Sequence, residues 1–247
     1  MDQIEATIPF LRRYARAATG NRASADELVA VMLEKISESD PDPHEPGLRC
    51  HLYSVLDAHL VTRFPDAGAD ATRLLASSER RALLLTELEN FSVADVATIM
   101  GKPEVEVLDL LLAARQKEAS ALPTDVYIIE DEALIAVHIA NIVHGMGHTV
   151  IGTASEARAA MTACQDLRPG LILSDVILNE EASGADVATE IASLYGIPVV
   201  FITAFPHALL RGETGEPTFL VEKPFTPKTI KAVIGQALLQ SRVQPTG

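Results

Sequence analysis

The sequence predicts two domains of different class: an all-α first half, then a doubly wound α/β half built on a five-stranded parallel sheet in the order 2-1-3-4-5. Three observations predict this. Apolar residues recur at helical spacing in the first half with no convincing strand. The stretch Ala119-Ser120-Ala121-Leu122-Pro123-Thr124-Asp125 then interrupts that pattern. Beyond it, short apolar runs alternate five times with amphipathic segments. A chain of 247 residues exceeds the usual single domain, and the expected boundaries are 1–122 and 125–242.

In the first half, Ile8, Leu11 and Ala15 mark one helix, and Leu28, Val31, Met32 and Ile36 a second. Leu52, Val55, Leu56, His59 and Leu60 mark a third. The Pro-rich stretch from Ser39 to Gly47 reads as a loop, and Phe64 to Asp70 as a breaker that divides the helices into two sub-bundles joined by a linker. In the second sub-bundle, Ser92 can cap a helix over Val93 to Met100, Gly101 suits a turn with positive φ, and Pro103 suits the start of the next helix. Ala97 is small where two helices approach and Val107 is apolar where they lock, which are the mechanics of a helix-turn-helix.

Strands are expected at 126–130, 149–154, 171–175, 198–204 and 218–222. Ile135, Ile139, Ile142, Val143 and Met146 form the helical stripe after the first, and Ala157, Ala160, Met161 and Cys164 the stripe after the second. Such alternation implies right-handed βαβ units with helices on both faces of the sheet.

Parallel strands point one way, so their carboxyl ends share a crevice. Four of these ends carry chemistry: Glu130-Asp131, Asp175, Thr203 and Lys223-Pro224. Singly, each has a bland reading as a cap or a strand end. Together they describe an aspartate built to accept a phosphoryl group, with carboxylates for a hard divalent cation, a lysine to neutralise the transferred oxygens and a threonine to donate a hydrogen bond. An enzyme of the phosphohydrolase kind would need a general acid beside Asp175, which neither Val176 nor Ile177 supplies, so no turnover is expected. His144 and His148 read as solvated turn residues, with Gly145 and Gly147 breaking the helix around them.

Charge excludes one function class. The net charge is −14, with 13 Lys and Arg against 20 Asp and Glu up to Leu122 and 7 against 14 beyond, so each half carries −7. A surface that held nucleic acid phosphates would need a basic face. The candidate reading helix instead opens with Glu104, Glu106 and Asp109, and an acidic, Leu-rich surface including Leu108 and Leu111 suits a protein partner. Direct DNA binding is not expected, although a phosphorylation-activated DNA-binding regulator is the alternative. No run approaches membrane-spanning length, the acidic start Met1-Asp2-Gln3-Ile4-Glu5 is unlike a secretory signal, and Cys50 and Cys164 show no pairing pattern. A soluble, cytoplasmic protein with reduced, buried thiols is expected.

The strand-end set, with Thr203 and the Lys223-Pro224-Phe225 run in order, resembles the receiver domain of bacterial two-component response regulators from about Val126 to Leu239. That resemblance implies Asp175 as phospho-acceptor, Mg²⁺ or another divalent cation held by Asp131, Asp175, the backbone carbonyl of Ile177 and, mainly through water, Glu130, and a sensor histidine kinase or phosphotransfer protein as donor. It further implies switch roles for Thr203, Lys223 and Phe205, where core packing is the competing reading for the aromatic, and a Lys-Pro bond that is cis in many such domains. The stretches Ile8 to Arg16 and Asp26 to Val29 resemble the start of the second core region of extracytoplasmic-function sigma factors, placed at about 1–64. A fourth-region likeness lies at about 73–120, centred on Glu79 to Lys117, but the chain has no Trp and only four Tyr. Sigma-like first and receiver second is the layout of the PhyR family of alphaproteobacterial general stress response regulators. Membership implies a decoy: the unphosphorylated receiver holds the sigma-like half closed, and phosphorylation frees it to capture the anti-sigma factor NepR.

Overall fold

The computed structural model describes residues 3–39, 47–64, 77–119, 122–178, 182–206 and 217–241. Most of the expected loop from Ser39 to Gly47 and of the breaker after Phe64 lies outside these residues. Two compact units result, one built on Met1–Glu118 and the other holding Ala119–Leu209 and Phe219–Gly247. Among the described residues no helix is long and apolar enough to cross a membrane.

The first unit is helical. Helices α1 (Gln3–Thr19), α2 (Arg22–Ser39) and α3 (Leu48–Arg63) pack on one another. Leu11, Tyr14, Ala15, Met32, Leu52 and Leu56 are fully buried between them. Val31, expected on the core stripe, is instead exposed, because the apolar arc of α2 is narrow and Leu28, Met32 and Ile36 already fill it. Helix α4 (Ser77–Leu83) runs into a π-helical turn over Leu84–Leu88 that its Leu-rich sequence did not announce. Then come α5 (Val93–Met100) and α6 (Glu104–Ala119).

The helix-turn-helix follows the local chemistry. Ser92 accepts from the Asp95 backbone amide while the Asp95 carboxylate accepts from the Ser92 amide, a reciprocal cap that contributes about 1 kcal/mol. Gly101 ends α5 at φ 62°, which a side chain would strain. Val107, Leu111 and Ala114 face the core from α6.

The two sub-bundles are not merely linked. Helix α5 packs on α3, and buried ion pairs join the first sub-bundle to the second. Arg13 donates to both Glu89 oxygens at 3.0 and 2.9 Å, Tyr53 adds its hydroxyl to Glu89 at 2.7 Å, and Arg49 donates to the Glu89 carbonyl at 2.7 Å. Asp57 accepts from Tyr14 at 3.1 Å and Arg81 at 2.5 Å.

The second unit is a sheet of five parallel strands: β1 (Asp125–Ile129), β2 (Thr149–Ala154), β3 (Leu171–Ser174), β6 (Val199–Thr203) and β7 (Phe219–Glu222), in the order β2-β1-β3-β6-β7. This is the expected 2-1-3-4-5 order once a small antiparallel pair, β4 (Ile177–Leu178) with β5 (Ala182–Ser183), is set aside. Strands of two residues carry no periodicity, so that pair was not legible in the sequence. Helices α7 (Ala133–Gly145), α8 (Ala157–Leu167), α9 (Gly184–Tyr195) and α10 (Pro227–Ser241) pack on the sheet. Ala136, Ile139, Ile142 and Val143 are the buried face of α7, and Ala157, Ala160 and Cys164 that of α8. Two expectations need correction. His148 is buried, not solvated, because the turn at Gly147 (φ 83°) folds it back so that its amide reaches the Val143 carbonyl. Cys50 is only half-buried, lying near the surface of α3, while Cys164 is buried as expected.

Candidate functional site

Hydrogen bonds of the sheet continue one residue past the strands and draw their ends together. The Glu130 amide donates to the Ala154 carbonyl at 2.9 Å, Asp175 to Ile129 at 2.8 Å, and Lys223 to Thr203 at 2.8 Å. Glu130, Asp175 and Lys223 therefore stand just beyond β1, β3 and β7, and Thr203 is the last residue of β6.

Lys223 is the centre of the cluster. Its Nζ donates to Glu130 Oε1 and Oε2 at 3.0 and 2.9 Å and to Asp175 Oδ2 at 2.7 Å. The other Asp175 oxygen, Oδ1, accepts from the Val176 amide at 2.5 Å and the Ile177 amide at 3.3 Å. The geometry leaves one carboxylate oxygen tethered to backbone and one facing the ammonium.

Electrostatics follow from burial. Glu130 is buried, which raises its pKa above the ordinary carboxylate value, and the lysine hydrogen bond only partly offsets this. Burial lowers the pKa of Lys223, but the hydrogen bonds it donates to Asp175 and Glu130 and their charges outweigh it, so the ammonium is held above the ordinary 10.5.

Glu130, Asp131 and Asp175 bring carboxylate oxygens within 4.8 Å of one another. Three oxygen donors of this kind suit a hard divalent cation that keeps some of its water, and the Asp131 carboxylate has no hydrogen bond or ion pair among the described residues. Ile177 begins β4, two residues beyond Asp175. One residue at this site escaped the sequence reading. Glu132 Oε1 lies 4.0 Å from Lys223 Nζ, and the only signal for it was its place directly after the acidic pair.

Thr203 is fully buried, and its hydroxyl accepts from the Phe205 amide at 3.1 Å. Phe205 itself is 61% exposed, so the core-packing reading of this aromatic does not hold. The cis Lys223-Pro224 bond precedes Phe225, whose ring stacks on His138 with centroids 5.8 Å apart.

On the helical unit, Glu104, Glu106 and Leu108 are exposed. Leu111 is not. It is 3% exposed and belongs to the core stripe with Val107 and Ala114, because positions four and seven residues after Val107 share its face. The second apolar stripe that does reach solvent is Val105, Leu108 and Leu112.

Comparison with known proteins agrees across the chain. Residues 4–57 match the family model described as the Sigma2 domain of PhyR, residues 73–119 match the sigma-like domain of response regulator PhyR, and residues 126–235 match the response regulator receiver domain. The phyllosphere-induced regulator PhyR of Methylorubrum extorquens is 37% identical over 243 residues, spanning 94% of this chain and 91% of that protein. The crystal structure of PhyR from Brucella abortus is 36% identical, covers 96% of this chain and 92% of its own, and superposes with a TM-score of 0.83. That of the anti-anti-sigma factor PhyR from Bartonella quintana is 38% identical, covers 96% and 94%, and also has a TM-score of 0.83. Sigma-like helices, a parallel sheet with an acidic crevice, and this likeness over nearly the whole length agree: the chain belongs to the PhyR family of response regulators.

Proposed function

We propose that this chain is a phosphorylation-activated anti-anti-sigma factor. A phosphoryl group on Asp175 releases the sigma-like half from the receiver half, and the freed module holds a NepR-type anti-sigma factor away from the stress sigma factor. The observation that supports this most is Lys223 bound to Asp175 and Glu130 at the sheet ends, in a chain whose helix-turn-helix exposes carboxylates. The name carried by the Bartonella quintana relative, anti-anti-sigma factor, points the same way.

In the phosphorylation step, an Asp175 carboxylate oxygen attacks the phosphorus of a phosphohistidine on a kinase or phosphotransfer protein. The new O–P bond forms as the donor's P–N bond breaks, leaving an acyl phosphate and a free imidazole. Mg²⁺ held by Asp131, Asp175 and the Ile177 carbonyl, and by Glu130 mainly through water, would supply charge neutralisation to the phosphoryl oxygens. Lys223, already 2.7 Å from Asp175 Oδ2, meets the transferred group with its ammonium. The Thr203 hydroxyl accepts from Phe205 and keeps its own proton to donate to a phosphoryl oxygen. Turning Thr203 toward the phosphoryl group disturbs its bond to the Phe205 amide, and the exposed ring is carried with it.

On the helical half, Val105, Leu108 and Leu112 flanked by Glu104 and Glu106 suit a basic amphipathic segment that orders on binding. The same carboxylates oppose nucleic acid phosphates.

The direct test is phosphorylation of Asp175→Asn. Wild-type protein with Mg²⁺ and acetyl phosphate should gain a hydroxylamine-sensitive label, and the amide variant should gain none. A label of equal yield on Asp175→Asn would refute the assignment.

A further inference from the structure

Glu132 lies beside the Lys223 ammonium at the edge of the acidic crevice. An ammonium has three protons to donate, and here Nζ spends its close contacts on Glu130 at 3.0 and 2.9 Å and on Asp175 at 2.7 Å. A divalent ion taken by Asp131 and Asp175, and by Glu130 mainly through water, competes for the same carboxylates, and its charge repels the ammonium in a crevice where water screens poorly. An ion drawn to that Glu130 carboxylate, directly or through water, loosens the hold of Lys223 on Glu130.

The root of the lysine is fixed, because its backbone amide donates to Thr203 at 2.8 Å. Only the side-chain head is free to shift. The next carboxylate within reach is Glu132, with Oε1 4.0 Å from Nζ and the side chain 66% exposed. Glu132 occupies the cap position of α7 yet makes no capping bond with its side chain. Its backbone amide donates to Glu130 Oε1 at 3.4 Å, which ties it to the very carboxylate the ammonium would leave.

We propose that Glu132 is a positioning residue that receives the Lys223 ammonium when a divalent cation binds, so that the lysine gives up Glu130 but stays beside Asp175. The inference rests on the acidic cluster being the metal site proposed above. A carboxylate that only added negative field to the crevice would not depend on Lys223, and this separates the two explanations.

The experiment is calorimetric titration of the full chain with Mg²⁺, repeated with Mn²⁺, on wild type, Glu132→Gln, Lys223→Met and the double variant. Glu132→Gln should weaken binding by about three-fold, the scale of one exposed ion pair. Lys223→Met should tighten it by about ten-fold as the competing charge is removed. The double variant should bind as Lys223→Met does, because without the ammonium Glu132 has nothing to receive. Wild-type affinity in Glu132→Gln, or the same three-fold loss in both backgrounds, would overturn the proposal while leaving the metal site standing. Failure of wild type to bind either ion at millimolar concentration would instead overturn the metal reading and this inference with it. Should Lys223→Met not fold, Lys223→Gln carries the same test.

Discussion

The two units bury charge in opposite ways, and the difference separates architecture from function. In the helical unit each buried carboxylate is matched. Glu89 is gripped by Arg13 through two parallel bonds with Tyr53 and Arg49 beside it, and Asp57 is shared between Arg81 and Tyr14. At the sheet ends Glu130 and Asp175 share one ammonium among the described residues, Asp131 lies beside them without an ion pair, and Glu132 is a fourth carboxylate at the edge. A matched pair needs nothing further and holds one arrangement. An unmatched cluster leaves room for a cation and for a phosphoryl group that redistributes the charge.

The comparison breaks most easily at Arg81. Both Arg81 and Asp57 side chains are almost fully buried, at 4% and 3% exposure. Arg81→Met should cost about 3 to 5 kcal/mol in urea unfolding, since it strands a buried carboxylate. Mg²⁺ should not restore that loss. Lys223→Met should cost less and should be restored by Mg²⁺, because a cation can stand in for the missing ammonium. Equal insensitivity of both variants to Mg²⁺ would erase the distinction.

Alkaline titration sharpens it further. Burial raises the pKa of Tyr14 and Tyr53 well above 10.0, with the neighbouring carboxylates Asp57 and Glu89 adding to the rise. The folded state thus prefers the neutral phenols, and stability is lost as pH climbs past the unfolded value near 10. Phenolate absorbance of these two residues should appear only together with loss of helical circular dichroism. The raised Lys223 acts at the same end of the scale: its contribution is complete below 10.5 and lost as pH rises through the higher folded value. The smallest effect is local. Ser92→Ala should destabilise the helical unit by about 1 kcal/mol, read as a shifted urea midpoint, and leave phosphorylation of Asp175 unchanged.

Legibility in the sequence followed the same divide. The crevice was readable because strand ends are marked by apolar runs, and Glu130, Asp175, Thr203 and Lys223 each sit at one. Helical periodicity likewise located α5 and α6 with their cap and turn. The Glu89 and Asp57 nodes were not readable, because their partners lie 76 and 24 residues away in the chain with no motif between. Leu111 was misplaced for a related reason: a helix that is apolar on two faces, with Val107, Leu111 and Ala114 on one and Val105, Leu108 and Leu112 on the other, does not reveal by composition which face is covered. Glu132 was passed over because one more acid after an acidic pair has no pattern of its own.

Central to this account is that the charge state of Asp175 governs access to the sigma-like surface. Its most direct measurement is the affinity of the full chain for a NepR-type anti-sigma protein, with and without acetyl phosphate and Mg²⁺, in wild type and Asp175→Asn. Phosphorylated wild type should bind at least about ten-fold more tightly than unphosphorylated protein, as expected when few unmodified molecules are open, and Asp175→Asn should stay weak under both conditions. Equal affinity for phosphorylated and unphosphorylated wild type would contradict the account.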